Sequence, residues 1–359
     1  MTFKPLNEND IVNTRTLLHE AIPLTGSIIS GSYGGGNIKN YSHGMFQTVY
    51  DYDYLSSSAN HIFDITLGIS ADSALYNAAG STQVAKKRNI YGQMAQVLMG
   101  YDATGSIQQF DEDGDLLAGG AKMTDVIVMP FSRLLVKDEI KKETCEMKVS
   151  DEAFDASGQP FSSLVTISDL GASTEYRVNS PAGEYGILYA TGSSMNGSST
   201  HTASIDGNTY WYAGLLFYQA GIAVLTGSVF GTQISSTPPS MDSSSNNIDA
   251  ILTGSSIDDI NTAILHRIEN IQFNNTTELN STVYFCRANH NEFNYSSNPT
   301  YLENSRIRVK TQATDEPVSY ITTIGLYNDR NELLATAKLS EALKKSPSTE
   351  FTIRARLDY

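Results

Sequence analysis

Six histidines, two cysteines and one acidic run are the side chains of this 359-residue chain whose types and spacing could do chemistry. His19, His43, His61, His201, His266 and His290 form no HExxH pair, and none stands beside a Ser or Cys in a nucleophile elbow. A helical metal site needs two imidazoles one turn apart so that both reach one ion. A catalytic triad assembled from distant residues would leave no such local trace. Cys145 and Cys286 each sit in an alternating apolar run that reads as a strand, the usual setting of a small buried thiol. A disulfide between them stays open, whereas structural zinc does not, because neither belongs to a CxxC or Cys/His cluster.

Asp111-Glu112-Asp113-Gly114-Asp115 invites a calcium reading, since hard cations take several carboxylate and carbonyl oxygens from one loop. An EF-hand, however, wants its glycine later and a glutamate at the twelfth position, so a solvated hairpin turn is the better expectation. Ser30-Gly31-Ser32-Tyr33-Gly34-Gly35-Gly36 has the glycine of a phosphate cradle but neither the lysine nor a following helical pattern. Asp206 beside Tyr210, Trp211 and Tyr212 could imitate a glycan-cleaving site with its paired carboxylates. An acidic surface over an aromatic strand explains the same residues with fewer assumptions. The expectation is therefore a chain without catalytic, cofactor-binding or metal-binding residues, one that is not an enzyme.

The elements that would position such residues are mostly strands. Short segments at 161–168, 185–190, 209–217, 221–226 and 281–288 are rich in Val, Ile, Tyr, Phe and Thr and are separated by Gly, Ser, Asn and Asp clusters. Residues 211–225 are apolar but are interrupted by Gly214, Gln219 and Gly221, which predicts two strands around a turn and no membrane span. Phe351, Ile353, Ala355 and Leu357 alternate with polar neighbours, as do Ile307 and Val309, and 320–327 with 333–339 should form a hairpin around Asn328-Asp329-Arg330-Asn331. Together these predict a four-stranded antiparallel C-terminal sheet. Helical spacing is clearest over 84–101 and predicts further helices over 131–144, 7–22 and 261–271. The Gly- and Tyr-rich stretch 31–54 reads as an extended segment able to clasp a neighbour, and 235–247 as a linker.

The expected fold class is α+β, predominantly antiparallel β, with a β-sandwich-like C-terminal part and a mixed β part carrying two helices on the N-terminal side. Three segments are expected: 1–148, an acidic β-rich 149–266, and 267–359. Residues 149–266 hold one basic residue, Arg177, against eleven acidic ones. The net charge of −15 and a pI near 4.8 argue against a phosphate-tracking surface, so nucleic acid is not an expected partner. The N-terminus lacks the apolar core of a signal peptide, which predicts a chain made and kept in a cytoplasm.

Some of the wording of the chain resembles a known group. Asn291-Glu292-Phe293-Asn294-Tyr295-Ser296-Ser297-Asn298-Pro299, Tyr320-Ile321-Thr322-Thr323-Ile324-Gly325-Leu326-Tyr327-Asn328, Asn331-Glu332-Leu333-Leu334-Ala335 and the closing Arg356-Leu357-Asp358-Tyr359 are similar to the tail end of virion structural proteins of large contractile-tailed, marine-type bacteriophages. Thr14-Arg15-Thr16-Leu17-Leu18-His19-Glu20-Ala21-Ile22-Pro23 and residues 91–102 resemble the same group. The resemblance implies a virion component of the tail, at the baseplate or neck, assembled in the host cytoplasm as a homo-oligomer among other virion proteins. It carries over no catalytic residue. The rival expectations are a fibre or adhesin that binds a host glycan and, less favoured, a polysaccharide-cleaving virion enzyme.

Overall fold

The computed structural model describes residues 3–24, 36–73, 82–116, 122–150, 164–191, 202–230, 256–296, 298–308, 310 and 312–359. The glycine-rich start of the predicted clasp, the predicted linker 235–247 and His201 lie outside these residues. The chain begins with strands β1 (Ile11–Leu24), β2 (Ile38–Lys39), β3 (Gln47–Tyr50) and β4 (His61–Ile69), then helix α1 (Thr82–Leu98) and β5 (Asp125–Pro130). The one-turn helix α2 (Arg133–Val136), β6 (Glu139–Ile140), β7 (Glu146–Ser150), β8 (Leu164–Ser168), β9 (Arg177–Ser180) and β10 (Gly183–Ala190) come next. β11 (Thr202–Ile205), β12 (Asn208–Phe217), β13 (Ile222–Thr226), helix α3 (Ile257–Leu265) and the long β14 (Ile268–Ala288) follow. The remaining strands are β15 (Leu302–Glu303), β16 (Arg306–Ile307), β17 (Ser319–Tyr327), β18 (Leu333–Lys345) and β19 (Phe351–Asp358). The fold is α+β and predominantly antiparallel β.

Two compact units are present, one of residues 18–277 and one of residues 1–17 with 278–359. In the first, the strand order from β14 runs β7, β8, β10, β12, β13, β5, β4, β3 and β2. Its central strands read as continuous apolar runs because both faces are covered. Val126 and Val128 of β5 pack with Leu215, Val224 and the α1 residues Tyr91, Ala95 and Leu98. Ile127 and Met129, on the alternate face, pack with Leu216, Leu225 and the α3 residues Ile260 and Ile264. The sheet thus carries a helix on each face. At Gly68 in β4 the helix α1 comes so close that a Cβ would lie 2.8 Å from the Tyr91 Cα.

The second unit is built differently. Val283↔Arg356 and Cys286↔Ile353 place β14 antiparallel to β19, while β17 and β18 form a two-stranded sheet of their own and β15 pairs with β16. The expected four-stranded C-terminal sheet is therefore corrected: the hairpin of β17 and β18 is present, but β19 takes β14 as its neighbour and β16 takes β15.

Three helical expectations change. Residues 11–24 form a strand: Ile11, Val12, Thr14 and Thr16 are β-branched, and contacts from Asn13 to Thr282 and from His19 to Thr276 lay β1 along β14. The helix expected over 131–144 stops after one turn. Lys137 adopts φ +58 at its end, and the chain then pairs with β14 at Asn275↔Ile140. The third helix runs over Ile257–Leu265, with the Ser256 hydroxyl accepting from the Asp259 N–H, and β14 starts before the predicted helix would end. Of the predicted clasp, residues 36–54 contribute β2 and β3 to the sheet beside β4, with Gln47, Thr48 and Val49 buried.

Candidate functional site

In the unit of residues 1–17 and 278–359, β-strand alternation produces apolar faces that remain incompletely covered. Tyr284 stands opposite Ala355 and Cys286 opposite Ile353, so these four share one face of the β14–β19 pair. On the hairpin, Leu326 faces Ala335 and Ile324 faces Ala337. Between these surfaces lies a cavity of about 850 Å³, lined among others by Leu6, Tyr284, Ile321, Leu326, Leu333 and Ile353. The Phe3 ring meets Tyr327 edge-on at 4.7 Å. Ion pairs stand at its margin: Arg287 Nε donates to Asp10 Oδ1 at 2.7 Å, and Lys4 Nζ lies 2.5 Å from Glu292 Oε2. The Arg287 hydrogen bond holds the Asp10 carboxyl below its ordinary range, and Lys4 does the same for Glu292. Among the described residues, the groove offers shape and apolar area.

Among the described residues, the apolar side chains buried in this unit are Val283, Ala288 and Ala355. By contrast, thirteen of the twenty-four exposed large apolar side chains belong to it, including Tyr320, Leu333 and Leu334. A unit of this size with so little buried apolar surface is poorly supplied with the main favourable contribution to folding. Sequence alternation announces the strands but not the coverage of their faces. An exposed alternating strand and a core one read alike until the opposing layer is known.

The acidic turn is a hairpin closure. Asp111 bridges Lys122 across the hairpin, and the Met123 N–H donates to the Phe110 carbonyl at 2.9 Å. The Lys122 ammonium bonds to Asp111 Oδ2, which also accepts from the Leu116 N–H at 3.0 Å. An ammonium therefore stands at the twelfth position, where a calcium loop would present a glutamate. Oxygens of Asp111, Asp113 and Asp115 do come within 4.8 Å of one another. Burial and the neighbouring Asp111 and Asp113 push Glu112 up to about 7, and burial raises Asp111 despite Lys122. Arg177 and Asn179 of β9 donate to the Asp113 and Gly114 carbonyls, so those oxygens are committed to the fold.

The other candidates disperse. Asp206 lies in the tight β11–β12 turn at φ +49, whereas Tyr212 of β12 packs beside Tyr189 of β10 at 5.6 Å. Trp211 packs against the core. Each described histidine has its own neighbour: His19 with Thr276, His43 stacked on Tyr41 at 5.2 Å, His61 with Asp64, His266 with the Thr262 carbonyl, and His290 with Glu350. Both cysteines are free thiols, raised by burial; Cys145 is in the core and Cys286 lines the groove. The most elaborate polar centre, around Asp169, escapes sequence reasoning altogether. Its carboxylate accepts from the Glu143 N–H at 2.8 Å, the Cys145 N–H at 3.0 Å and the Tyr218 hydroxyl at 3.1 Å, and burial raises it to about 6. It is 1 % exposed, so it ties the 141–145 loop to the sheet out of reach of a substrate.

No helix among the described residues is long and apolar enough to cross a membrane. Comparison with known protein families, curated proteins and solved structures finds no match for the chain.

Proposed function

We propose that the chain is an architectural component of a bacteriophage particle, placed in the tail at the baseplate or neck, which acts by assembling with protein neighbours and catalyses nothing. The single observation that carries this reading is the half-covered unit of residues 1–17 and 278–359. Its apolar strand faces surround a cavity of about 850 Å³, and three of its described apolar side chains are buried. Apolar surface left open on this scale is characteristic of interaction sites, because a neighbour that covers it supplies the missing burial. The particle assignment draws on the resemblance of residues 14–23, 91–102, 291–299, 320–328, 331–335 and 356–359 to phage virion proteins. The dispersal of the histidines and the burial of Asp169 favour the non-catalytic reading.

A reconstruction of the intact particle produced by the phage that encodes this chain is the test. Several symmetry-related copies in the tail, with β17 and β18 covered by a neighbour, are expected. A particle of full composition that lacks the chain, or turnover of host envelope polysaccharide by the purified protein, would overturn the proposal.

A further inference from the structure

On that architectural reading, we infer that the neighbour covering the 1–17 and 278–359 unit is a second copy of this chain, with the β17–β18 hairpin and its groove as the contact. The argument for a self-partner is electrostatic. Residues 1–17 and 278–359 contain twelve basic and twelve acidic side chains, whereas residues 18–277 contain twelve basic and twenty-seven acidic ones. The whole net charge of −15 therefore belongs to the second stretch.

A two-fold contact sets a surface against its own image, so its charge is squared against itself. Surfaces of one sign repel when apposed, and a balanced surface does not. Copies meeting through residues 18–277 would bring together stretches of the same, negative sign. Copies meeting through the balanced unit bring no net charge together and cover the open apolar side chains of both. Tyr320 is 54 % and Leu334 is 68 % exposed on the hairpin that would enter this contact. Its paired strands also keep outward backbone edges, which can extend a sheet into a neighbour.

The test is the mass of the purified full-length chain by light scattering, at low and high salt and over a dilution series. An oligomer at both salt concentrations is expected, because a contact without net charge is little affected by screening. Tyr320→Glu and Leu334→Glu should each convert it to monomer with an unchanged circular dichroism spectrum. Val178→Glu, at the 69 % exposed Val178 of β9, should leave the mass unchanged. If a hairpin variant aggregates, hydrogen exchange of the wild-type chain decides instead: protection over residues 319–345 should fall on dilution. A monomer at every concentration, an oligomer that survives both hairpin substitutions, or dilution-independent protection of 319–345 would each overturn the inference. A monomer that instead co-elutes with another particle protein would overturn self-association while leaving the architectural reading intact.

Discussion

At the scale of single residues, the buried carboxylate of Asp169 serves geometry. Asp169 holds two backbone N–H groups and a tyrosine hydroxyl that would otherwise be buried without acceptors. Asp169→Ala should destabilise the fold by about 3 kcal/mol or more, since each orphaned buried donor costs roughly 1–3 kcal/mol; a urea midpoint measurement checks it. Glu112 and Asp169 are raised to about 7 and about 6, above the value of roughly 4 that an unfolded chain gives a carboxyl. Between those limits these two carboxyls hold more protons in the folded chain than in the unfolded one, so their contribution to stability should rise as pH falls from 7 toward 5, while His266, lowered by burial, contributes in the opposite sense. Thermal midpoints at pH 7.5, 6 and 5 would register this, and Asp169→Asn should flatten the part of the dependence near pH 6. Gly68 makes a steric counterpart. Gly68→Ala would press a methyl group against the Tyr91 backbone and should cost about 1–3 kcal/mol, the range for overpacking a filled core.

At the scale of elements, coverage decides what a side chain contributes. Ile260 of α3 is fully buried against the sheet, whereas Ile324 of β17 is half-buried beside the groove. Ile260→Ala should therefore cost about 2–5 kcal/mol, and Ile324→Ala in the monomeric chain about 1 kcal/mol by its smaller loss of buried area. Denaturation of both variants, at a concentration where the chain is monomeric, would separate the two. The same distinction explains what was legible beforehand. Strands β10, β12 and β13 and helix α1 announce themselves by period and by flanking glycines, and β19 by its alternation alone, because local pattern and final environment agree. Residues 11–24 spread Ile11, Leu18 and Ile22 at spacings that fit a helix loosely, and the β-branched residues between them prevailed only because β14 supplies a partner more than 250 positions away. Helix α2 ends early for a comparable reason, the pairing of Ile140 with Asn275. Neither the groove nor the Asp169 centre has a local signature, since each is made by segments distant in the chain.

At the scale of the whole molecule, two units with unequal cores should not respond to denaturant alike. Trp211, the single tryptophan, belongs to residues 18–277 and reports on that unit, whereas circular dichroism reports on strands in both. The circular dichroism signal of the monomer should begin to fall at a lower urea concentration than tryptophan fluorescence, and coincident transitions would show that the two unfold as one. The pairing of β1 with β14 has a temporal side as well. β14 follows β1 by more than 250 positions, so at 5–20 residues per second the strand waits on the order of tens of seconds for its complement. During that interval its backbone groups are open to any extended chain nearby. Nascent copies on one messenger stand within reach of each other, so a β1 that stays single until its own β14 has been made escapes pairing with a neighbour's strand.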